Sequence, residues 1–205
     1  MNNIKIFEHD LPNDIDLSNE KSIGLDCEAL GLVLGRDPLT LIQLGLESKK
    51  YYLIKLNRDN YEAPNLKKVL ENSNIQFIMH YARQDLLWLK YHLDINVENI
   101  FCTKLASKIA RTASSNHGYK DLVKEICGKD ISKKEQQSDW GNPNLSDKQI
   151  SYAAQDTEFL FEIKNKLINM LSREKRIELF KKSIKIIPIL VDMEIAGYKI
   201  STFEH

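Results

Sequence analysis

The sequence has little of what specialised chains are built from. Its three cysteines, Cys27, Cys102 and Cys127, are odd in number, widely spaced and without a C-x-x-C pair, which excludes a disulfide framework and a cysteine-based zinc site. Only five prolines and eight glycines occur in 205 residues, so a collagen-like or low-complexity chain is excluded as well. The longest apolar run, Ile186 to Val191, is far too short to cross a bilayer. The start, Met1-Asn2-Asn3-Ile4-Lys5, lacks the apolar stretch of a signal peptide, and the expectation is a cytoplasmic protein with no membrane partner.

Net charge is missing too, because 29 Lys+Arg and 29 Asp+Glu cancel. A zero total argues against a broad phosphate-binding surface, but it hides a gradient. Residues 1–40 carry 8 acidic and 3 basic side chains, and residues 104–134 carry 8 basic and 3 acidic. Charge runs are usually solvated faces, so position relative to a site decides what this one means. What is present is an ordinary globular composition, 42% hydrophobic. It suffices for one domain over residues 1–205 with a substantial core.

Short β-rich segments fill the first half: Ile4 to Phe7, Ser22 to Glu28, Leu39 to Gly45, Tyr51 to Leu56 and Ile75 to His80. Clusters such as Pro12-Asn13-Asp14 and Arg36-Asp37-Pro38 punctuate them. From residue 82 the periodicity is helical: Ala82–Tyr91, Thr103–Ala110, Gly118–Cys127, a long segment from Ser146 to about Met170, and a last one from about 174 to 196. Strands first and helices later predict an α/β fold with α+β-like order, a mixed sheet surrounded by helices.

Fourteen Asp and 15 Glu make about one D-x-E by chance, and the chain has three: Asp26/Glu28, Asp156/Glu158 and Asp192/Glu194. Context separates them, because a strand sends residues i and i+2 to one face and a helix sends them to nearly opposite sides. Only Asp26/Glu28 lies in a strand-like run. There Ile23, Leu25 and Cys27 face the core while Gly24, Asp26 and Glu28 face the other way, the glycine allowing close backbone approach. Two carboxylates side by side on a mostly buried strand repel unless a cation joins them, and hard Mg²⁺ or Mn²⁺ suits all-oxygen ligands. The alternative is a strand end whose acids face water.

On the long helix, Tyr152 and Asp156 are i and i+4, so phenol and carboxylate share a face. The other Y-x-x-x-D, Tyr81/Asp85, follows an apolar strand, where loops and helix starts hold functional groups. An ordinary helix-start cap is the alternative for Asp85, and a surface Tyr–Asp hydrogen bond for Tyr152.

In this order, D-x-E on an early strand, Asp after a later strand and Y-x-x-x-D on a late helix, the pattern resembles the DEDD superfamily of 3′-to-5′ exonucleases, in its tyrosine-bearing branch, on the RNase H-like fold. Cys102-Thr103-Lys104-Leu105-Ala106-Ser107, Gln136-Gln137-Ser138-Asp139-Trp140 and Tyr152-Ala153-Ala154-Gln155-Asp156 resemble the ribonuclease D family. Arg111-Thr112, His117-Gly118, Lys120-Asp121 and Phe203-Glu204-His205 narrow the likeness to its compact nanoRNase C-type members, and Cys102, where ribonuclease D itself has Asp, agrees. The likeness covers nearly the whole chain, which leaves no room for additional helical C-terminal domains.

The resemblance implies a two-metal phosphodiester hydrolysis that releases nucleoside 5′-monophosphates from short RNA, dinucleotides above all. Asp26, Glu28 and Asp156 would bind one Mg²⁺ or Mn²⁺ that generates the attacking hydroxide. Asp26 would bridge to a second ion near Asp85, and Tyr152 would position the nucleophilic water. Leu32 falls where related enzymes wedge a leucine between bases, with Leu30 as a competitor and a core leucine as the alternative. His80 would hold the strand or phosphate unless it is a structural histidine. Trp140 would stack on a base unless it is a packed aromatic.

Lys104, Lys108, Arg111, Lys120, Lys124, Lys133 and Lys134 would face phosphates. A homo-oligomer, an octameric ring, is also implied; Ile186–Val191 and Leu41/Leu44 are interface material or core. Val191 to Tyr198 resembles the segment that joins a proofreading domain to family A DNA polymerases. A DNA exonuclease is therefore the competing reading, and a catalytically silent nucleic-acid-binding module a third.

Overall fold

The computed structural model of the chain describes residues 3–132 and 134–203. Six strands form one mixed sheet: β1 (Ile4–Glu8), β2 (Ser22–Ala29), β3 (Leu39–Gly45), β4 (Tyr51–Lys55), β5 (Gln76–Met79) and β6 (Ile100–Cys102), in the order β1-β4-β3-β2-β5-β6. The central strands β2, β3 and β4 are an antiparallel meander. β1 joins parallel to β4, β5 parallel to β2 and β6 parallel to β5. Every residue of β3 is buried, as a strand covered on both faces requires.

Helices α1 (Pro64–Leu70), α2 (Ala82–Leu93), α3 (Thr103–Ala110), α4 (Tyr119–Leu122), α5 (Asp147–Glu158), α6 (Leu160–Arg173), α7 (Ile177–Ser183) and α8 (Ile186–Ile195) flank the sheet. On one face Ile23, Leu25, Ile42, Leu44, Ile54 and Phe77 pack with Leu66 of α1, Leu86 and Leu89 of α2, and Ile187 and Val191 of α8. On the other, Ile78 and Phe101 meet α3, α6 and α7, while Leu41 and Leu53 meet Ala153 of α5 and Trp140.

β3 and α3 have the bounds expected from sequence, but the order is not simply strands then helices. α1 lies between β4 and β5, and β6 follows α2. The long helical segment after Ser146 breaks at Phe159, whose N–H donates to the Tyr119 hydroxyl at 3.2 Å instead of continuing the ladder of α5. The last segment breaks between Ser183 and Ile186. Pro188 lacks an N–H and its ring would clash with the carbonyl of Ile184, so the helix must restart. The second and third D-x-E pairs also separate here: Asp192 pairs with Lys90 and Glu194 with Arg83, which pins α8 to α2.

Candidate active site

The site is built where β2 runs out beneath α5. On β2, Ile23 and Leu25 enter the core, and Gly24 shares the other face with Asp26 and Glu28. Gly24 stands opposite Gly45 of β3, and the end of α5 lies on this pair. A Cβ on Gly45 would sit 2.4 Å from the Thr157 hydroxyl oxygen, and one on Gly24 would be 3.3 Å from both Thr157 and Leu160. The paired glycines thus let α5 descend onto the sheet. A capping box, Ser146 with Gln149, fixes the start of the same helix.

As a result Asp26, Glu28 and Asp156 each bring a carboxylate oxygen within 4.8 Å of the others. Asp85 comes from the first turn of α2, is buried, and hydrogen-bonds with the thiol and backbone of Cys27. Tyr152, one turn before Asp156, hydrogen-bonds with its carboxylate.

The electrostatics are those of anions forced together. Burial, then repulsion from Asp85, Asp156 and Glu28, raises the Asp26 carboxyl well above its usual range. Glu28 is pushed up to about 9 by burial, Asp156 and Asp85. Burial raises Asp85 despite its backbone and Cys27 hydrogen bonds. Burial and the neighbouring acids also raise Tyr152, so its phenol stays protonated. Among the described residues, Asp26, Glu28 and Asp85 take part in no ion pair. Crowded carboxylates of this kind fit hard divalent cations, which remove the repulsion and take oxygen ligands.

A cleft of about 890 Å³ opens over the acids, within the range of ligand sites, roughly 300–1,000 Å³. Leu32 stands at its edge 80% exposed, so the core alternative for it does not hold. Leu30 is engaged with Gly141, whose added Cβ would lie 3.0 Å from its methyls. His80 lines the cleft with its Nδ1 2.9 Å from the Thr103 hydroxyl. Trp140 is buried against Leu41, Leu53 and Ala153, its ring 6.0 Å from that of Tyr152; it is the packed aromatic of the two readings.

Of the basic run, Lys104 and Lys120 line the cleft. Arg111 pairs with Glu125 and Lys124 with Asp130; Lys133, like Glu204 and His205, lies outside the described residues. Leu41 and Leu44 are buried, which removes them as interface material, whereas Ile186 and Ile189 are about half exposed.

Sequence reasoning missed two contributors. Tyr119 is buried below the site, its hydroxyl donating to Gln155 O at 2.9 Å, and it braces α5. Tyr81, at φ +67° between Arg83 and Lys104, forms a strained rim. Neither has a signal in spacing.

A family model described as 3′-5′ exonuclease matches residues 4–172. Ribonuclease D of Xanthomonas oryzae is 29% identical over 168 residues, 82% of this chain and 46% of that protein. The chain thus spans less than half the length of this curated relative. The structure of Brucella melitensis NrnC superposes with a TM-score of 0.95 at 32% identity, covering 100% of both chains. The same protein bound to pGG matches with a TM-score of 0.92 at 33% identity over 98% of both chains. With bound Mg²⁺ the values are 0.91, 32% and 98%.

Proposed function

The chain belongs to the 3′-5′ exonuclease family, and we propose that it is a metal-dependent exoribonuclease that hydrolyses short RNA, dinucleotides above all, to nucleoside 5′-monophosphates. The convergence of Asp26, Glu28 and Asp156 oxygens within 4.8 Å carries this reading. The likeness to a nuclease with structures holding Mg²⁺ and pGG supports the metal and a short substrate.

Asp26, Glu28 and Asp156 hold one Mg²⁺ or Mn²⁺, and Asp26 shares a second with Asp85. When bound, the two ions polarise the phosphoryl group and offset charge on the attacking and leaving oxygens. Tyr152 donates to Asp156, and its oxygen accepts from the attacking water, turning a water lone pair toward phosphorus. Lys104 and Lys120 face the phosphates from the cleft wall, His80 steadies the strand, and Leu32 wedges against a base. Trp140 backs Tyr152.

Residues 1–205 act as one cytoplasmic domain in this reading, and copies associate, an octameric ring being the form that the resemblance implies. The half-exposed Ile186, Ile189 and Leu179 support a shared surface.

Rates on RNA dinucleotides, longer RNA and DNA separate this reading from a DNA exonuclease. The expected order places RNA dinucleotides first. A tenfold or greater preference for DNA overturns the RNA assignment, and no hydrolysis of any of them favours the silent module.

A further inference from the structure

Gln43 is the polar interruption of β3, and it is fully buried in the middle of the sheet. It stands opposite Asp26 on β2 and opposite Leu53 on β4. Residues directly opposite each other share a face, with Cβ atoms about 4.5–5.5 Å apart, so the amide lies beside the Asp26 carboxylate beneath α5. Its other neighbours on that face are apolar: Leu53 across the strand, and Leu41 two residues back, both packed with Ala153. Among the described residues neither Nε2 nor Oε1 of Gln43 meets a hydrogen-bond partner. No donor among them reaches the Asp26 carboxylate, whose surroundings only raise its pKa. A buried donor without an acceptor therefore stands next to a buried acceptor without a donor. Burying an amide this way is unfavourable unless it is used, and an apolar side chain of the same size would avoid the penalty.

We infer that Gln43 is a positioning residue for Asp26. Its amide N–H donates, directly or through one buried water, to the carboxylate oxygen that is turned away from the cation. Such outer hydrogen bonds orient metal-ligating carboxylates and set their affinity. The inference rests on the proposed metal site, and its effect is on metal uptake before any effect on hydrolysis.

The test is calorimetric titration of the whole protein with Mn²⁺ alone, together with thermal melting in EDTA, for wild type, Gln43→Met, Gln43→Asn and Asp26→Asn. Gln43→Met is expected to weaken Mn²⁺ binding by about 10–100-fold, while its melting temperature in EDTA stays level or rises, because an unpaired amide has been removed. Mn²⁺ affinity within threefold of wild type overturns the inference. So does a loss of affinity matched by a lower melting temperature in EDTA, which marks a purely structural residue. If Gln43→Met does not fold, Gln43→Asn decides: its shortened amide should lose at least tenfold in affinity, and an unchanged affinity overturns the proposal. Wild-type heats that Asp26→Asn reproduces would instead mean that the metal site itself is misassigned, and the inference falls with it.

Discussion

At the scale of single residues the account stands on charge. Asp26→Asn and Asp156→Asn each remove a negative ligand at almost constant shape. Either is expected to lower turnover by two orders of magnitude or more, since metal charge stabilisation is worth several kcal/mol and about 1.4 kcal/mol is tenfold. Steady-state rates with Mg²⁺ check this, and undiminished activity in a folded variant would falsify the assignment. Tyr152→Phe deletes one hydrogen-bonding atom and should slow hydrolysis on the order of a hundredfold with Mn²⁺ binding retained; a wild-type rate would place water positioning elsewhere.

Glu28 makes a separate, pH-dependent claim. Its carboxyl is held at about 9 in the fold against an ordinary 4.5. The folded protein therefore keeps a proton that the unfolded chain releases. The resulting stability is fully present below about pH 4.5 and is lost as pH rises through about 9. In EDTA the melting temperature should fall over that window, and Glu28→Gln should flatten the fall. Parallel wild-type and variant profiles would contradict the coupling.

At the scale of elements the height of α5 above the sheet decides whether its two functional side chains meet those of β2. Gly45→Ala would drive a Cβ into Thr157, 2.4 Å from its hydroxyl oxygen, and should lower both melting temperature and turnover. Overpacking of this kind costs typically about 1–3 kcal/mol, or on the order of 2–4 °C per kcal/mol at this size. Adding Thr157→Ala to it should restore much of both. A double variant no better than Gly45→Ala would mean that the contact does not set the helix.

Much of this architecture is legible in the sequence where local pattern and tertiary packing agree. Alternation along Ser22 to Glu28 placed Asp26 and Glu28 on one face, and i,i+4 spacing paired Tyr152 with Asp156. The apolar periodicity running through Phe159 hid the break between α5 and α6, because the break is made by Tyr119, 40 residues away. β6 has three residues, too few to show a period. Gly24 was readable as a point of close approach, but Gly45 acquires its meaning only from the strand opposite. Gln43 was visible as a polar residue in an apolar run, yet its neighbour Asp26 is fixed by register alone.

At the scale of the molecule, zero net charge turns out to be a sum over separate tasks. Of the acids in residues 1–40, Asp26 and Glu28 stand at the site, whereas Asp37 closes its own loop with Arg36 and the Val33 N–H. Of the basic middle, Lys104 and Lys120 reach the cleft. Two lysines and a pair of divalent ions suit a ligand with few phosphates better than a long strand.

Association of copies is tested by solution mass. Wild type should exceed the 23.7 kDa of one chain several-fold, and Ile189→Glu, on the exposed side of α8, should reduce the assembly. A wild-type mass of one chain would remove the oligomer from the account. The most direct test of the whole is a time course on 5′-labelled RNA of two to ten nucleotides with Mg²⁺ and with EDTA, resolving every product. Nucleoside 5′-monophosphates, fastest turnover of the dinucleotide and silence in EDTA are expected. Equal or faster cleavage of the ten-nucleotide strand, internal cuts or metal-independent hydrolysis would contradict the account.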